Sequence, residues 1–268
     1  MIRRAQKRDL PALRKLWKDT FGDNDALIDL FFHSLFSDID VYFAEKDGDA
    51  VSMLCALRTE LVDACGETFP TAYLYAVCTH WAWRGQGLSR AVLAFAEAQL
   101  RAQGYAFVSL VPAEPSLFAF YGRQGYHPAF YQRSYTVAAS QSAFGSIAEI
   151  DAARYRSLRE MALQSDYISY DTALLSYQQR IGKTFGAGLY SIAGGSLICC
   201  AAAMVKGDIL YIRELLPDEP QAAAQLAQLL GCKEAQVRTL GNAQLFGMIK
   251  PLGEFPAPTQ AYLGQAFD

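Results

Sequence analysis

Apolar residues in the first half of the chain switch repeatedly between strand-like and helix-like spacing, which predicts alternating α and β elements. Ile2 to Gln6 has the pattern of a short strand. Asp9 stands where it can cap a helix whose apolar positions Leu13, Leu16 and Trp17 follow helical spacing. A second helical pattern covers Asp25 to Phe36. Val41 to Glu45 and Val51 to Arg58 flank Asp47-Gly48-Asp49, a strong hairpin signal. Leu61 to Ala64 extends or follows the second of these strands, and a turn at Cys65-Gly66-Glu67 leads into a strand from Phe69 to Thr79. The next helical run, Leu88 to Gln103, carries Leu88, Ala91, Val92 and Phe95 on one stripe and Leu93, Ala96 and Leu100 on another. A helix apolar on two sides is expected to be sandwiched. Gly104 ends it, and Tyr105 to Val111 is a continuous apolar strand. Pro115 opens a short helix containing Leu117, Phe118, Phe120 and Tyr121, which stops near Gly125, and Phe130 to Val137 completes the series as a strand.

The small, polar stretch Ala138 to Ser146 is the candidate linker. Beyond it, helical patterns cover Ala148 to Leu163 and Asp171 to Thr184. Strand-like runs follow at Gly188 to Ile192, Leu197 to Met204 and Ile209 to Leu215, then a helix from Gln221 to Leu230 and a strand from Ala235 to Leu240. This order echoes the first half, with Ile209 to Leu215 answering Phe69 to Thr79. The connection after it, however, is Pro217-Asp218-Glu219-Pro220, acidic and without glycine, where a phosphate would be repelled. Two α/β domains are expected, at 1–138 and 147–268, the second a degenerate copy of the first.

Composition narrows the function classes. The 268 residues suffice for one large or two modest domains with a real core; 52% hydrophobic and 19% charged content is ordinary for a globular protein. A net charge of −3 gives no electrostatic reason to expect nucleic acid. The chain opens on polar, helix-forming sequence with no signal-peptide pattern and holds no long uncharged apolar run, so a soluble cytoplasmic location is expected. The six cysteines (55, 65, 78, 199, 200, 232) lack C-x-x-C spacing and read as mainly buried thiols; the three histidines (33, 80, 127) lack metal-ligand spacing, so no metal is expected.

The chemistry concentrates in Arg84-Gly85-Gln86-Gly87-Leu88-Ser89, between the strand ending at Thr79 and the helix starting at Leu88. Glycines there let the backbone approach a ligand and leave the first helical N–H groups to bind an anion at the positive end of the dipole. A nicotinamide fingerprint would require a third glycine where Arg90 stands, and an acid to end the following strand.

Together with the preceding Val77-Cys78-Thr79-His80-Trp81-Ala82-Trp83, this loop resembles the acyl-CoA signature of the GCN5-related N-acetyltransferase (GNAT) superfamily, Arg/Gln-x-x-Gly-x-Gly/Ala after Val-x-Thr-x-Pro. Trp81 takes the usual proline position, and Ser89 that of the small glycine or alanine. Phe120-Tyr121-Gly122-Arg123-Gln124-Gly125-Tyr126 resembles the family's Phe-Tyr-x-x-x-Gly-Phe/Tyr element at matching spacing. The resemblance implies a mixed, mostly antiparallel central sheet with flanking helices. The two-domain layout is similar to the enhanced-intracellular-survival class, whose further sterol-carrier-like domain is not expected within these 268 residues.

By this resemblance the edge of Val77, Cys78 and Thr79 would pair with the pantetheine arm of acetyl-CoA, and the N–H groups of Arg84 to Ser89 would take the pyrophosphate. Arg84 is equally well read as an exposed salt-bridge partner, and Ser116 as a contact near the thioester or an ordinary helix-start residue. Tyr121 is the candidate general acid, since a phenol can protonate the departing thiolate. Glu114 is a possible base for the amine, and the carboxylate at Asp268 a remoter one. Nine acids between Asp19 and Asp49 (19, 23, 25, 29, 38, 40, 45, 47, 49) against the single base Lys46 would favour a cationic amine acceptor, or simply form a solvated face. The expected function is acetyl transfer to a primary amine of a small molecule or peptide, with no nucleic-acid or membrane partner. A non-catalytic acyl-CoA-binding or sensing protein is the alternative.

Overall fold

A computed structural model describes residues 1–141 and 144–267 of the chain. The contacts divide it into two compact units that interleave in sequence rather than meeting at one cut near 138–147. The first holds Met1–Leu61, Thr68–Pro128 and Gly247–Ala257; the second holds Val62–Glu67, Ala129–Phe246 and the segment from Pro258 onward.

In the first unit, β1 (Ile2–Arg4) is followed by helices α1 (Leu10–Phe21) and α2 (Asp25–Leu35). The latter is capped by the Asn24 side chain, which accepts from Leu27 N–H. Then come β2 (Asp40–Lys46), β3 (Asp49–Val62), β4 (Thr68–Thr79), α3 (Leu88–Ala102), β5 (Phe107–Leu110) and α4 (Pro115–Gly122), before β6 (His127–Ala138), which belongs to the second unit from Ala129. The strand order β1-β2-β3-β4-β5 carries one parallel pair, β4–β5, whereas β1–β2 and β2–β3 are antiparallel. Val92, Leu93, Ala96 and Leu100 of α3 are buried with Leu54, Ala72, Leu74 and Val108, so the two-sided apolar helix is embedded as its pattern predicts. Full burial of such an aliphatic side chain contributes about 1.5–3 kcal/mol. An aromatic cluster of Trp17, Phe31 and Phe32 from α1 and α2 packs with Tyr75 of β4.

The second unit continues with β7 (Ser146–Glu149), α5 (Ala152–Ala162), β8 (Tyr167–Tyr170), α6 (Thr172–Thr184), β9 (Leu189–Gly194), β10 (Leu197–Lys206), β11 (Ile209–Leu216), α7 (Pro220–Leu229) and β12 (Glu234–Pro251). Its strand order is β7-β9-β10-β11-β12, with β6 also on β12 and a parallel β11–β12 pair. Ala222, Ala223, Leu226 and Ala227 of α7 are buried with Ile212, Leu215 and Val237 of the sheet, while α6 packs on β10.

Three sequence expectations change. The helical pattern from Ala148 gives way to strand β7, because Asp151 caps the helix only from Ala152 by accepting from Arg154 N–H. The strand expected to end at Leu240 runs on to Pro251, and its last residues, Met248–Pro251, belong to the first unit, within which they pair antiparallel with β5. The candidate linker is anchored on α7: the Gln225 side chain accepts from Phe144 and Gly145 N–H and donates to the Gly145 carbonyl. Gly145 is required there, since a β-carbon would lie 1.7 Å from the Ala193 carbonyl oxygen. No helix among the described residues is long and apolar enough to cross a membrane.

Candidate active site

The parallel pairing of β4 with β5 ends at Tyr73 opposite Ser109, six residues before β4 itself ends. Three residues later Ala76 adopts φ +51°, a left-handed conformation costly for an alanine. Beyond this kink the strand stays attached on its β3 side. The Ser52 hydroxyl donates to the Cys78 carbonyl (2.8 Å) and lies 2.8 Å from the Thr79 hydroxyl, and His80 N–H donates to the Val51 carbonyl (2.9 Å). Backbone groups alternate in direction along a strand. With Cys78 and His80 turned to β3, Val77 and Thr79 present theirs to the edge that β5 has left. The Thr79 carbonyl accepts from Arg84 Nε at 3.2 Å.

After a short 3-10 turn at Trp81–Trp83, Gly85 and Gly87 both take positive φ (+77° and +76°), which side chains resist. A β-carbon at either would meet nothing within 4 Å, so the space over the loop is open. Gly87 is the cap of α3, and among the described residues no side chain caps this helix. The first helical bond runs from Ala91 N–H to the Gly87 carbonyl. The N–H groups of Leu88, Ser89 and Arg90 therefore point out of the helix start without helical acceptors, at the positive end of its dipole. Arg84 and Gln86 are exposed, and Leu88 and Ser89 half-buried. Trp81 is 71% exposed, while Trp83 packs on the core beneath a cation–π contact from Lys46.

Tyr121 lies 6% exposed near the end of α4, edge-on to Phe120 and Tyr126. Burial, reinforced by the nearby Cys78 thiol, pushes its phenol up to about 12. Burial likewise pushes the Cys78 thiol up to about 12, with Thr20 of α1 beside it. Cys78 is thus a neutral thiol rather than a nucleophile. The fold gathers Cys78, Thr20 and Tyr121 where β4, α1 and α4 converge. Glu114 and Ser116 pair with each other at the exposed start of α4 (3.4 Å). At the helical rise, Ser116 stands about 8 Å and Glu114 about 10 Å along the axis from Tyr121. Asp268 lies outside the described residues.

The acidic segment changes character in three dimensions. Asp25, Asp29, Asp40, Glu45 and Asp49 are ion-paired with Lys18, Arg14, Arg4, Arg3 and Lys15. All five bases precede the acidic segment in sequence, so a count confined to residues 19–49 overstates the local negative field. Sequence reasoning also missed Ser52, Thr20 and the kink at Ala76. Ser52 had left a signal, a single hydroxyl within the apolar run Val51 to Leu57. No group of three or more His, Cys, Asp or Glu side chains among the described residues is arranged to hold a metal ion.

Solved structures share the fold across nearly the whole chain. A probable N-acyltransferase of Enterococcus faecalis V583 superposes with TM-score 0.74 at 17% identity, covering 94% of this chain and 72% of its own. A GCN5-related N-acetyltransferase of Anabaena variabilis gives TM-score 0.73 at 15% identity, covering 94% and 73%. Eis1 of Mycobacterium abscessus gives 0.66 at 13%, covering 94% and 74%. No curated protein sequence matches the chain. Residues 1–129 match the family model of the acetyltransferase (GNAT) domain, and it is through this segment that the chain is similar to the GNAT acetyltransferases.

Proposed function

We propose that the first unit transfers an acetyl group from acetyl-CoA directly to a primary amine of a small molecule or peptide, with Tyr121 as the general acid. The supporting observation is that the β4 edge left by β5 leads through the glycine loop into the uncapped start of α3. Val77 and Thr79 offer strand-pairing groups for an extended amide-bearing arm. Gly85, Gln86, Gly87, Leu88 and Ser89 offer a cradle for the pyrophosphate, with Arg84 at its entrance. The residues present fit acetyl-CoA, which supplies the activated acyl carbon.

In this reading the kink at Ala76 directs Val77 and Thr79 away from β5, and Ser52 holds that direction. The amine attacks the thioester carbonyl carbon, the carbon–sulfur bond breaks, and the Tyr121 phenol faces the departing sulfur. Because the phenol sits near 12, it remains protonated at working pH and can donate throughout. It is also a weak acid, so its contribution is a hydrogen bond that tightens as charge develops on sulfur. Ser116 is assigned to the mouth of the cofactor channel, and Glu114, exposed at the same helix start, to taking the amine proton through solvent. The second unit is read as a degenerate copy that lacks an anion cradle. Neither a metal nor a nucleic-acid partner enters this reading.

Intact-mass measurement of acetyl transfer across a panel of amines tests the proposal. Tyr121→Phe should lower kcat by about 10²–10⁴-fold while leaving acetyl-CoA affinity nearly unchanged. The burial that weakens Tyr121 as an acid also suits a non-catalytic acyl-CoA-binding protein. That protein would bind CoA and acetylate none of the panel.

A further inference from the structure

The turn that follows α4 brings a second tyrosine behind Tyr121. The Tyr121 carbonyl accepts from Gln124 N–H (2.8 Å) and Tyr126 N–H (3.2 Å), and Gly125 between them takes φ +88°. This reversal, which a left-handed glycine permits, sets the Tyr126 ring edge-on to Tyr121, with ring centres 5.7 Å apart. The far end of Tyr126 is held as well. Its hydroxyl donates to Glu97 Oε1 of α3 at 2.8 Å. Lys250, near the end of β12, donates to the other oxygen of that carboxylate at 2.5 Å, and its ammonium stands 5.5 Å from the Tyr126 ring centre. The lysine stem passes over Gly125, where a β-carbon would lie 3.4 Å from Lys250 Cε. Backbone pairing fixes Lys250 in turn, level with Val108 of β5. All of these residues belong to the first unit.

The energetics favour a role in position over one in stability. Tyr126 is buried in the core with Tyr121, Met248 and Leu252, and the Lys250–Glu97 pair beside it is partly buried. Desolvation offsets much of the Coulomb gain of such a pair, and apolar side chains of similar volume would stabilise the unit about as well. Apolar side chains supply no direction, however. A charge-assisted hydrogen bond to the phenol oxygen, with the carboxylate itself locked by a cation, leaves the Tyr126 ring one orientation. Tyr121 leans on that ring.

We propose that Glu97, Tyr126 and Lys250 are positioning residues that fix the Tyr121 ring from behind, so that its hydroxyl stays directed at the departing sulfur. This rests on the acetyl-transfer reading, in which Tyr121 is the general acid. Lys250 lies outside residues 1–129, so the segment that carries the acid does not carry all of its support.

The test measures steady-state acetylation by the full chain of the probe amines spermidine, tyramine and a lysine-containing peptide, with acetyl-CoA affinity read by calorimetry. Tyr126→Phe, which keeps the ring and removes only the hydroxyl, should lower kcat about tenfold, with KM and acetyl-CoA affinity changed less than about twofold. Lys250→Met should do the same, and Lys250→Arg, which keeps a cation on Glu97, should recover most of the loss. Tyr126→Phe keeps the test informative if Lys250→Met unfolds. In a Tyr121→Phe background Tyr126→Phe should change kcat less than about twofold, because the group it orients is gone. Equal losses with and without the Tyr121 hydroxyl would mark a general structural role and overturn the assignment. So would a full rate in Tyr126→Phe. If Tyr121→Phe alone leaves kcat unchanged, or none of the amines is acetylated, the acetyl-transfer reading fails and this assignment falls with it.

Discussion

The strand-to-helix junctions of the two units start from the same plan and end as opposites. In the first unit β4 parts from β5 after Tyr73, kinks at Ala76, and passes through two left-handed glycines into a helix with uncapped N–H groups. In the second unit β11 stays paired with β12 through Leu215 opposite Thr239, whose hydroxyl donates to the Leu215 carbonyl at 2.6 Å. The chain then enters α7 through Asp218 and Glu219. The Glu219 carboxylate accepts from Gln221 N–H, and Pro220 removes a further donor. Asp218 accepts from Tyr135 Oη and pairs with Arg133. One junction keeps its donors available for an incoming anion, whereas the other has consumed them with its own acids.

The interiors differ in the same sense. In the second unit Arg159 (1% exposed) and Glu214 (0%) form a buried ion pair. Tyr155 donates to Glu214, and the guanidinium donates to the carbonyls of Ile168 and Leu263. Tyr170 Oη donates to the carbonyls of Leu263 and Gln265, so the C-terminal segment is clasped into this cluster. Gly264 permits the approach, since a β-carbon there would lie 2.0 Å from the Glu214 carboxylate. The first unit places Thr20, Cys78 and Tyr121 near the end of the corresponding strand, with no comparable ion pair among the described residues.

The largest effect should come from breaking the closed interior. Glu214→Ala leaves Arg159 buried and uncompensated, and is expected to cost about 3–5 kcal/mol in chemical denaturation. A loss below about 1 kcal/mol would show that the cluster does not hold the second unit together. Next, Gly87→Asp in the open junction places a side chain at φ +76° and a negative charge in the cradle. Acetyl-CoA affinity should fall about 100-fold, or 2.7 kcal/mol, with little change in melting temperature. Unaltered affinity would detach the loop from cofactor binding. The smallest effect concerns pH. A proton donor is competent below its own pKa, and Tyr121 sits near 12, so the phenol is fully protonated across the neutral range. The limb of kcat assignable to Tyr121, identified by its absence in Tyr121→Phe, should therefore appear only above about pH 11. A Tyr121-dependent decline near pH 8 would contradict the burial that raises this group.

The glycine loop, the Phe120-Tyr121 element and the acidic second junction were legible in sequence because each is local. Every requirement, a positive φ, an uncapped helix start or a capping acid, lies within a few residues. The exchange that places Met248–Pro251 beside β5 was not, since its partners lie about 140 residues away and no short pattern encodes them. Strand β7 was hidden by the helical periodicity that starts nearby. The charge balance of the acidic segment was not legible within residues 19–49, because its counter-ions come from β1 and α1. The opening of β4 away from β5 depends on where a parallel pairing stops, which the sequence of neither strand specifies alone.

One junction is open and the other closed, so the proposed acyl-CoA site should occur once per chain. Native mass spectrometry or calorimetry with CoA counts the sites directly. One equivalent per chain, displaced by acetyl-CoA, is expected. Two equivalents, or one equivalent whose affinity is untouched by Gly87→Asp, would contradict it.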